Sequence, residues 1–217
     1  MKLYNLGHSP FSTRLRIQIR KKQLPIEIVP PPLTLRSAEF LEAYPFGKVP
    51  MLELDNGDVL PESGAIMEYL EDCFADATPL RAEDPVARAK MRALLRFCDT
   101  SLNPSLFPLF KALMAPAGDT DTSEYVQAVH LELTKLNRWF EREPFEARGL
   151  DLADIGLVPV LWYVAVVMSA FGENNVLAGY PQVENWWARV QSDAVIRETT
   201  EELATAYQDF MSALSAR

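Results

Sequence analysis

The segment Gly7-His8-Ser9-Pro10-Phe11-Ser12 joins a short apolar run to a helix-forming stretch, and its residue types suit one kind of chemistry. Pro10 fits a first helical position, where a missing N–H costs nothing. The amides of a helix start have no intrahelical acceptor, so they favour an anion placed above them. A thiolate is one candidate anion. A free thiol titrates near ~8.5, and each unit of pKa depression takes about 1.4 kcal/mol of preferential thiolate stabilisation. Ser9 stands where a hydroxyl can donate to sulfur, and equally where a serine caps a helix. A serine hydroxyl does not ionise near neutrality and no Ser, His and acid arrangement accompanies it, so Ser9 is a donor and not a general base. His8 reads as a loop residue, and Tyr4 as a strand aromatic of the core or edge.

The elements that must hold this segment follow from periodicity. Leu3-Tyr4-Asn5-Leu6 and Ile26-Glu27-Ile28-Val29 are short β-type runs around a helix from Pro10 to Lys22, a β-α-β unit. After Pro30-Pro31-Pro32 comes a short helical stretch near Ser37–Ala43. Val49–Leu54 and Val59-Leu60 flank Asn56-Gly57, which predicts an antiparallel hairpin. Glu62-Ser63-Gly64 then opens a helix with Ile66, Tyr69 and Leu70 on one face. Asp76–Pro85 is polar and holds two prolines, and beyond it no convincing strand occurs. Helical patterns run through roughly 85–114, 122–143, 151–170, 182–192 and 194–214, punctuated at Pro116–Gly118, Gly172–Asn175 and Gly179–Pro181. The expected fold class is α/β plus all-α: domain 1–76 in the order βαβ-α-ββα, linker 77–84, and an all-helical domain 85–217. Asp151 with Asp154 predicts a capped helix start, and the apolar run Ile155–Ala170 a buried central helix carrying Pro159.

Composition narrows the partners. The 217 residues carry a net charge of −9, which argues against nucleic acid. Residues 1–48 hold eight basic side chains against three acidic ones, giving +5 there and −14 elsewhere. A small anion would find a favourable field in that part; a solvated basic helix face from Arg14 to Lys22 is the alternative account of the excess. Cys73 and Cys98 stand alone, without Cys-x-x-Cys spacing, so neither disulfide framework nor metal site is expected. No secretory leader and no run of about 18 unbroken apolar residues is evident, which makes a cytoplasmic protein without a membrane span the expectation.

Three N-terminal stretches, Ser9–Ile17, Gly47–Leu52 and Leu60–Leu70, with Asp151–Ile155 and Tyr180–Trp186 further on, resemble in order the signatures of the cytosolic glutathione S-transferases. The resemblance implies a thioredoxin-like N-terminal domain, with Ser9 as the residue that activates the glutathione thiol, as in serine-type classes such as tau and zeta. It implies glutathione contacts from Phe11, Arg36, Lys48, Val49, Pro50, Glu62 and Ser63. Among these, a cis Val49-Pro50 step would pair Val49 with the cysteinyl part. Lys48, with Arg36, would meet the glycine carboxylate, while Ser63 and Glu62 hold the γ-glutamyl group; locally, Glu62-Ser63 could be a capping pair. Phe107, Phe110 and Met114 are candidates for an electrophile pocket. Ser9-x-x-Ser12 has oxygen where dithiol members carry sulfur, which disfavours thiol-disulfide exchange, and the absence of a Ser-Ser-Cys run disfavours maleyl isomerisation. A homodimeric enzyme conjugating glutathione to small hydrophobic electrophiles in detoxification is implied. The alternatives are a non-catalytic binding or assembly module of the same fold, or a glutathione-dependent isomerase, dehalogenase or peroxidase.

Overall fold

A computed structural model describes residues 1–115 and 121–215; the expected break at Pro116–Gly118 lies outside them. The chain divides into two compact units, Met1–Ala82 with the C-terminal helix from Ala194, and Glu83–Asp193.

In the first unit β1 (Lys2–Tyr4), α1 (Pro10–Lys21), β2 (Glu27–Val29), α2 (Ala38–Ala43), β3 (Met51–Glu53), β4 (Val59–Pro61) and α3 (Ser63–Cys73) follow in the expected thioredoxin-like order. The strands form one sheet, β2-β1-β3-β4, in which β1 runs parallel to β2 and antiparallel to β3, and β4 antiparallel to β3. Pro61 is tolerated because β4 is an edge strand. Side chains alternate across the sheet. Tyr4 and Met51 join Phe40 of α2 in one cluster, while Leu3 and Leu52, opposite each other, are fully buried on the other face. In the hairpin turn the Asp58 amide donates to Asn56 Oδ1.

Every side chain of α1 from Ser12 to Ile19 is buried, because α1 packs against both α3 and the C-terminal helix. Its polar residues are tolerable there because they have partners. Gln18 Nε2 donates to the Met67 carbonyl and to Glu71, both at 2.9 Å, and Lys22 meets Glu71 at 3.2 Å with both side chains buried. Arg14, Arg16 and Lys22 are therefore not a solvated basic face.

The last helix, α10 (Ala194–Ser215), was expected with the helical domain 85–217 and instead belongs to the first unit. Arg20 of α1 donates to Thr199 at 2.9 Å and pairs with Glu202 at 2.9 Å. Further along, Ala206 approaches Gly7 and the Phe210 ring stacks on His8, with centroids 4.2 Å apart.

The second unit is helical: α4 (Pro85–Phe97), α5 (Asn103–Ser105), α6 (Phe107–Met114), α7 (Ser123–Arg142), α8 (Leu152–Ala170) and α9 (Pro181–Gln191). The single helix expected over 85–114 is broken by a widened π turn at Cys98–Leu102. Pro104 and Pro108, which cannot donate to a preceding carbonyl, account for the restarts. α8 opens on the expected capping box: Asp151 accepts from the Ala153 and Asp154 amides, and Asp154 from the Asp151 amide at 3.0 Å. Trp186 Nε1 and Arg148 also donate to Asp154. Pro159 lies inside α8, which runs through it. With a mean hydropathy of 1.9 over its most apolar window, α8 is long and apolar enough to cross a membrane, but 78% of that window is buried within the protein. This is the buried central helix expected from the apolar run Ile155–Ala170.

Candidate active site

Strand register decides what meets at one end of the sheet. Tyr4 lies opposite both Val29 and Met51, and Met51 opposite Pro61. The residues that leave β1 after Tyr4, those that enter β3 before Met51 and those that leave β4 after Pro61 therefore emerge at the same end. They are Asn5–Ser9, Lys48-Val49-Pro50 and Glu62-Ser63. The chain leaving β2 after Val29, which leads to Arg36, starts from that end too.

Ser9 is the N-cap of α1. Its Oγ accepts from the Ser12 amide at 3.3 Å, and its carbonyl accepts from the Thr13 amide and hydroxyl, both at 2.9 Å. A hydroxyl has two acceptor sites and one proton, so capping leaves the Ser9 O–H to donate outward. Both local readings of Ser9 are thus compatible in one side chain. The first turn of α1 contains no acidic residue, so no carboxylate competes for the helix start. The Phe11 ring lies under the Arg14 guanidinium, 5.0 Å from its centroid.

His8, half-buried against Phe210, has its pKa lowered by desolvation, which keeps the imidazole neutral at neutral pH. It brings no positive charge to the site. Tyr4 is directed away from any such role, since its hydroxyl donates to Glu53 and its pKa is pushed up to about 12, chiefly by that hydrogen bond.

The Val49-Pro50 peptide is cis. Gly47 before it has φ +63, and a Cβ there would lie 2.6 Å from Leu41 Cδ2, so the turn needs glycine. Lys48 and Arg36 are exposed and make no hydrogen bond or ion pair among the described residues, which leaves both cations available. Glu62 adopts φ 69, an unusual conformation for a non-glycine residue, and makes no capping bond. The capping-pair reading of Glu62-Ser63 is thereby removed. Ser63, buried at 5% exposure, is the first residue of α3, where helix amides lack intrahelical acceptors.

Phe107, Phe110 and Met114 lie in the second unit at i, i+3 and i+7 on α6. Phe107 and Met114 are 56% and 50% exposed, whereas Phe110 packs on Tyr163 at 5.4 Å. Sequence reasoning missed the shielding of His8 by α10 and the role of Arg16, described below. The signal for Arg16 was the density of cationic residues along α1, Arg14, Arg16, Arg20 and Lys21.

Residues 3–78 match the family model described as the glutathione S-transferase N-terminal domain. The first unit is thus similar to the N-terminal domain of the glutathione S-transferases. Maleylacetoacetate isomerase of Pseudomonas aeruginosa is 33% identical over 109 residues, covering 48% of this chain and 51% of that protein. Glutathione S-transferase 3 of Zea mays is 27% identical over 92% of each. A delta-class glutathione transferase of Nilaparvata lugens superposes with a TM-score of 0.80 at 26% identity, covering 98% of this chain and 99% of that one. The chain thus spans about half of the isomerase it matches but nearly all of the two transferases.

Proposed function

We propose that this protein is a serine-type glutathione transferase, a cytosolic homodimer that conjugates glutathione to small hydrophobic electrophiles in detoxification. The observation that carries the reading is the convergence of the Ser9 hydroxyl, the cis Val49-Pro50 step and the Glu62-Ser63 turn at one end of the sheet. An extended peptide laid along that end would pair its cysteinyl main chain with Val49, in the manner of an added strand. Lys48 and Arg36 would meet its glycine carboxylate. Ser63 and the α3 amides would take the γ-glutamyl carboxylate, with Glu62 on the ammonium, and Phe11 beside the sulfur.

The sulfur then lies by the Ser9 hydroxyl and the start of α1. The thiol releases its proton to solvent, and the O–H and helix amides stabilise the thiolate. Lowering a thiol from ~8.5 to about 6.5 requires about 2.7 kcal/mol of such preference, within reach of one charge-assisted hydrogen bond and a helix start. The sulfur lone pair forms the new S–C bond as the electrophile's leaving group departs with its electron pair. Phe107, Phe110 and Met114 on α6 are proposed for the apolar second substrate.

Ser9→Ala is expected to abolish most conjugation while changing glutathione affinity little. Wild-type activity in that variant across about pH 6 to 8, below the free thiol pKa, would refute the role. The likeness to maleylacetoacetate isomerase favours one second reading, in which the same thiolate adds to and leaves a cis double bond; a panel containing a maleyl diacid beside aryl halides separates the two. No retention on immobilised glutathione would point instead to a non-catalytic module.

A further inference from the structure

Arg16 is almost fully buried, at 4% exposure, in a helix that also buries Leu15, Ile17 and Ile19. Its planar guanidinium is spread over the loop that precedes its own helix. Nη1 donates to Asn5 Oδ1 at 3.2 Å, and Nη2 donates to the Gly7 carbonyl at 3.0 Å and to Thr13 Oγ1 at 3.0 Å. Thr13, itself fully buried, passes the connection on, since its hydroxyl donates to the Ser9 carbonyl at 2.9 Å. The Asn5–Ser9 loop is therefore held before His8 by Arg16 and after it by Thr13, whose hydroxyl Arg16 in turn bonds. Nothing in the proposed chemistry uses Arg16 directly.

From this geometry we infer that Arg16 is a positioning residue for Ser9: it fixes the loop so that the Ser9 hydroxyl points at the substrate sulfur. The inference rests on the thiolate role of Ser9 and extends it to a residue that touches no substrate. A fork with two donor-bearing nitrogens can bridge acceptors that lie apart, whereas a lysine ammonium concentrates its donors at one point. Replacing Arg16 by lysine keeps the charge in place and loses the bridge. The donor hydroxyl would then sample other directions, and the thiolate would lose stabilisation that the thiol never had.

The experiment compares wild type, Arg16→Lys, Thr13→Val and Ser9→Ala as full-length protein. It measures the pKa of bound glutathione from thiolate ultraviolet absorbance, the glutathione Kd by calorimetry, and kcat against pH with an activated aryl halide. Arg16→Lys is expected to raise the bound-thiol pKa by about one unit and to lower kcat roughly tenfold below the wild-type pKa, with recovery at high pH. Measured below the wild-type bound-thiol pKa, where the thiol form dominates, the Kd should stay within about twofold, since the peptide contacts are elsewhere. Thr13→Val should shift the pKa in the same direction by less, and decides the matter if Arg16→Lys does not fold. An unchanged bound-thiol pKa in the folded variants overturns the inference, because a merely structural arginine would lower Tm without moving a substrate pKa. If Ser9→Ala also leaves that pKa at the wild-type value, the reading of Ser9 falls and this one with it; if Ser9→Ala raises it and the other two do not, only Arg16 is removed from the mechanism.

Discussion

Gly7→Ala adds one methyl group where the Ser9 loop comes close to α10. A Cβ on Gly7 would lie 2.9 Å from the Ala206 Cβ, and Gly7 has no positive φ, so the substitution costs contact and not backbone strain. Two carbons prefer about 3.5–4.0 Å, which leaves a shortfall of roughly half an ångström to one ångström. Ala206 cannot swing aside because its Cβ is fixed to the helix backbone. Either α10 withdraws or the loop does, at about 1–3 kcal/mol for an overpacked site, or a Tm lowered by about 2–10 °C for a chain of this size. Ala206→Gly supplies the control. Alone it should cost about 1 kcal/mol as a glycine inside a helix, but with Gly7→Ala it removes the clashing atom. The double variant should therefore be more stable than the sum of the singles by about 1–2 kcal/mol. Urea denaturation of the four proteins measures this, with Gly149→Ala, which meets nothing within 4 Å, as a neutral reference. Additivity within about 0.5 kcal/mol would refute the packing of α10 on the loop. A drop in kcat for Gly7→Ala that the double variant restores would tie the same contact to the chemistry.

The Lys22–Glu71 pair, with both side chains buried, should behave asymmetrically. Lys22→Met, leaving the Glu71 carboxylate with only the Gln18 amide and the Leu80 N–H, is expected to cost about 3–5 kcal/mol, and Lys22→Met with Glu71→Leu much less; equal losses in urea denaturation would contradict this. Asp151 has its pKa pushed up to about 6, first by burial and then by the Asp154 charge, against the pull of Arg148. A native pKa above the unfolded one means that the native state holds the proton longer, so this carboxyl favours folding when protonated and its contribution is lost as pH rises from about 4 to about 6. Asp151→Asn keeps an oxygen for the Ala153 and Asp154 amides and should flatten that fall, worth up to about 3 kcal/mol; parallel stability curves for the two proteins would show that the group is not the source.

Most of the first unit could be read from the sequence because its signals are local. Pro10 after Ser9 marks a helix start, Asn56-Gly57 a hairpin, and the polar stretch with two prolines before residue 86 a boundary. The capping box at Asp151 was legible for the same reason: a short side chain and the amides it caps lie within one turn. What failed to show was pairing between distant elements. Ile196 and Leu203 give α10 a buried stripe, but periodicity reports that a helix has an apolar face and not which surface receives it. Adjacency in sequence suggested the helical domain, whereas Arg20, His8 and Gly7 receive the helix instead. The π turn at Cys98 was hidden likewise, since the apolar pattern continues through it while the prolines that reset the helix read as ordinary first-turn residues.

Charge is where the structure changes the functional argument most. The excess of +5 over residues 1–48 suggested a field for a small anion, but a charge contributes to such a field only when it is neither paired nor spent on neutral acceptors close by. Lys22 is neutralised by Glu71, Arg20 pairs with Glu202, Lys2 faces Glu53, and Arg16 is turned onto the Ser9 loop. Of the eight basic residues in 1–48, Lys48 and Arg36, exposed at the end of the sheet where the loops converge, are those left with no partner of either kind among the described residues. On the proposed function, a peptide carboxylate would be attracted by these two side chains, placed by the turns before β3 and after β2, and not by a basic helix. The arginines of α1 are engaged elsewhere: Arg16 donates to Asn5 and Gly7 of the loop before the helix, Arg14 lies over the Phe11 ring, and Arg20 meets Thr199 and Glu202 of α10, which also covers His8. In the proposed mechanism the two tasks, collecting the anion and aiming at its sulfur, fall to different residues.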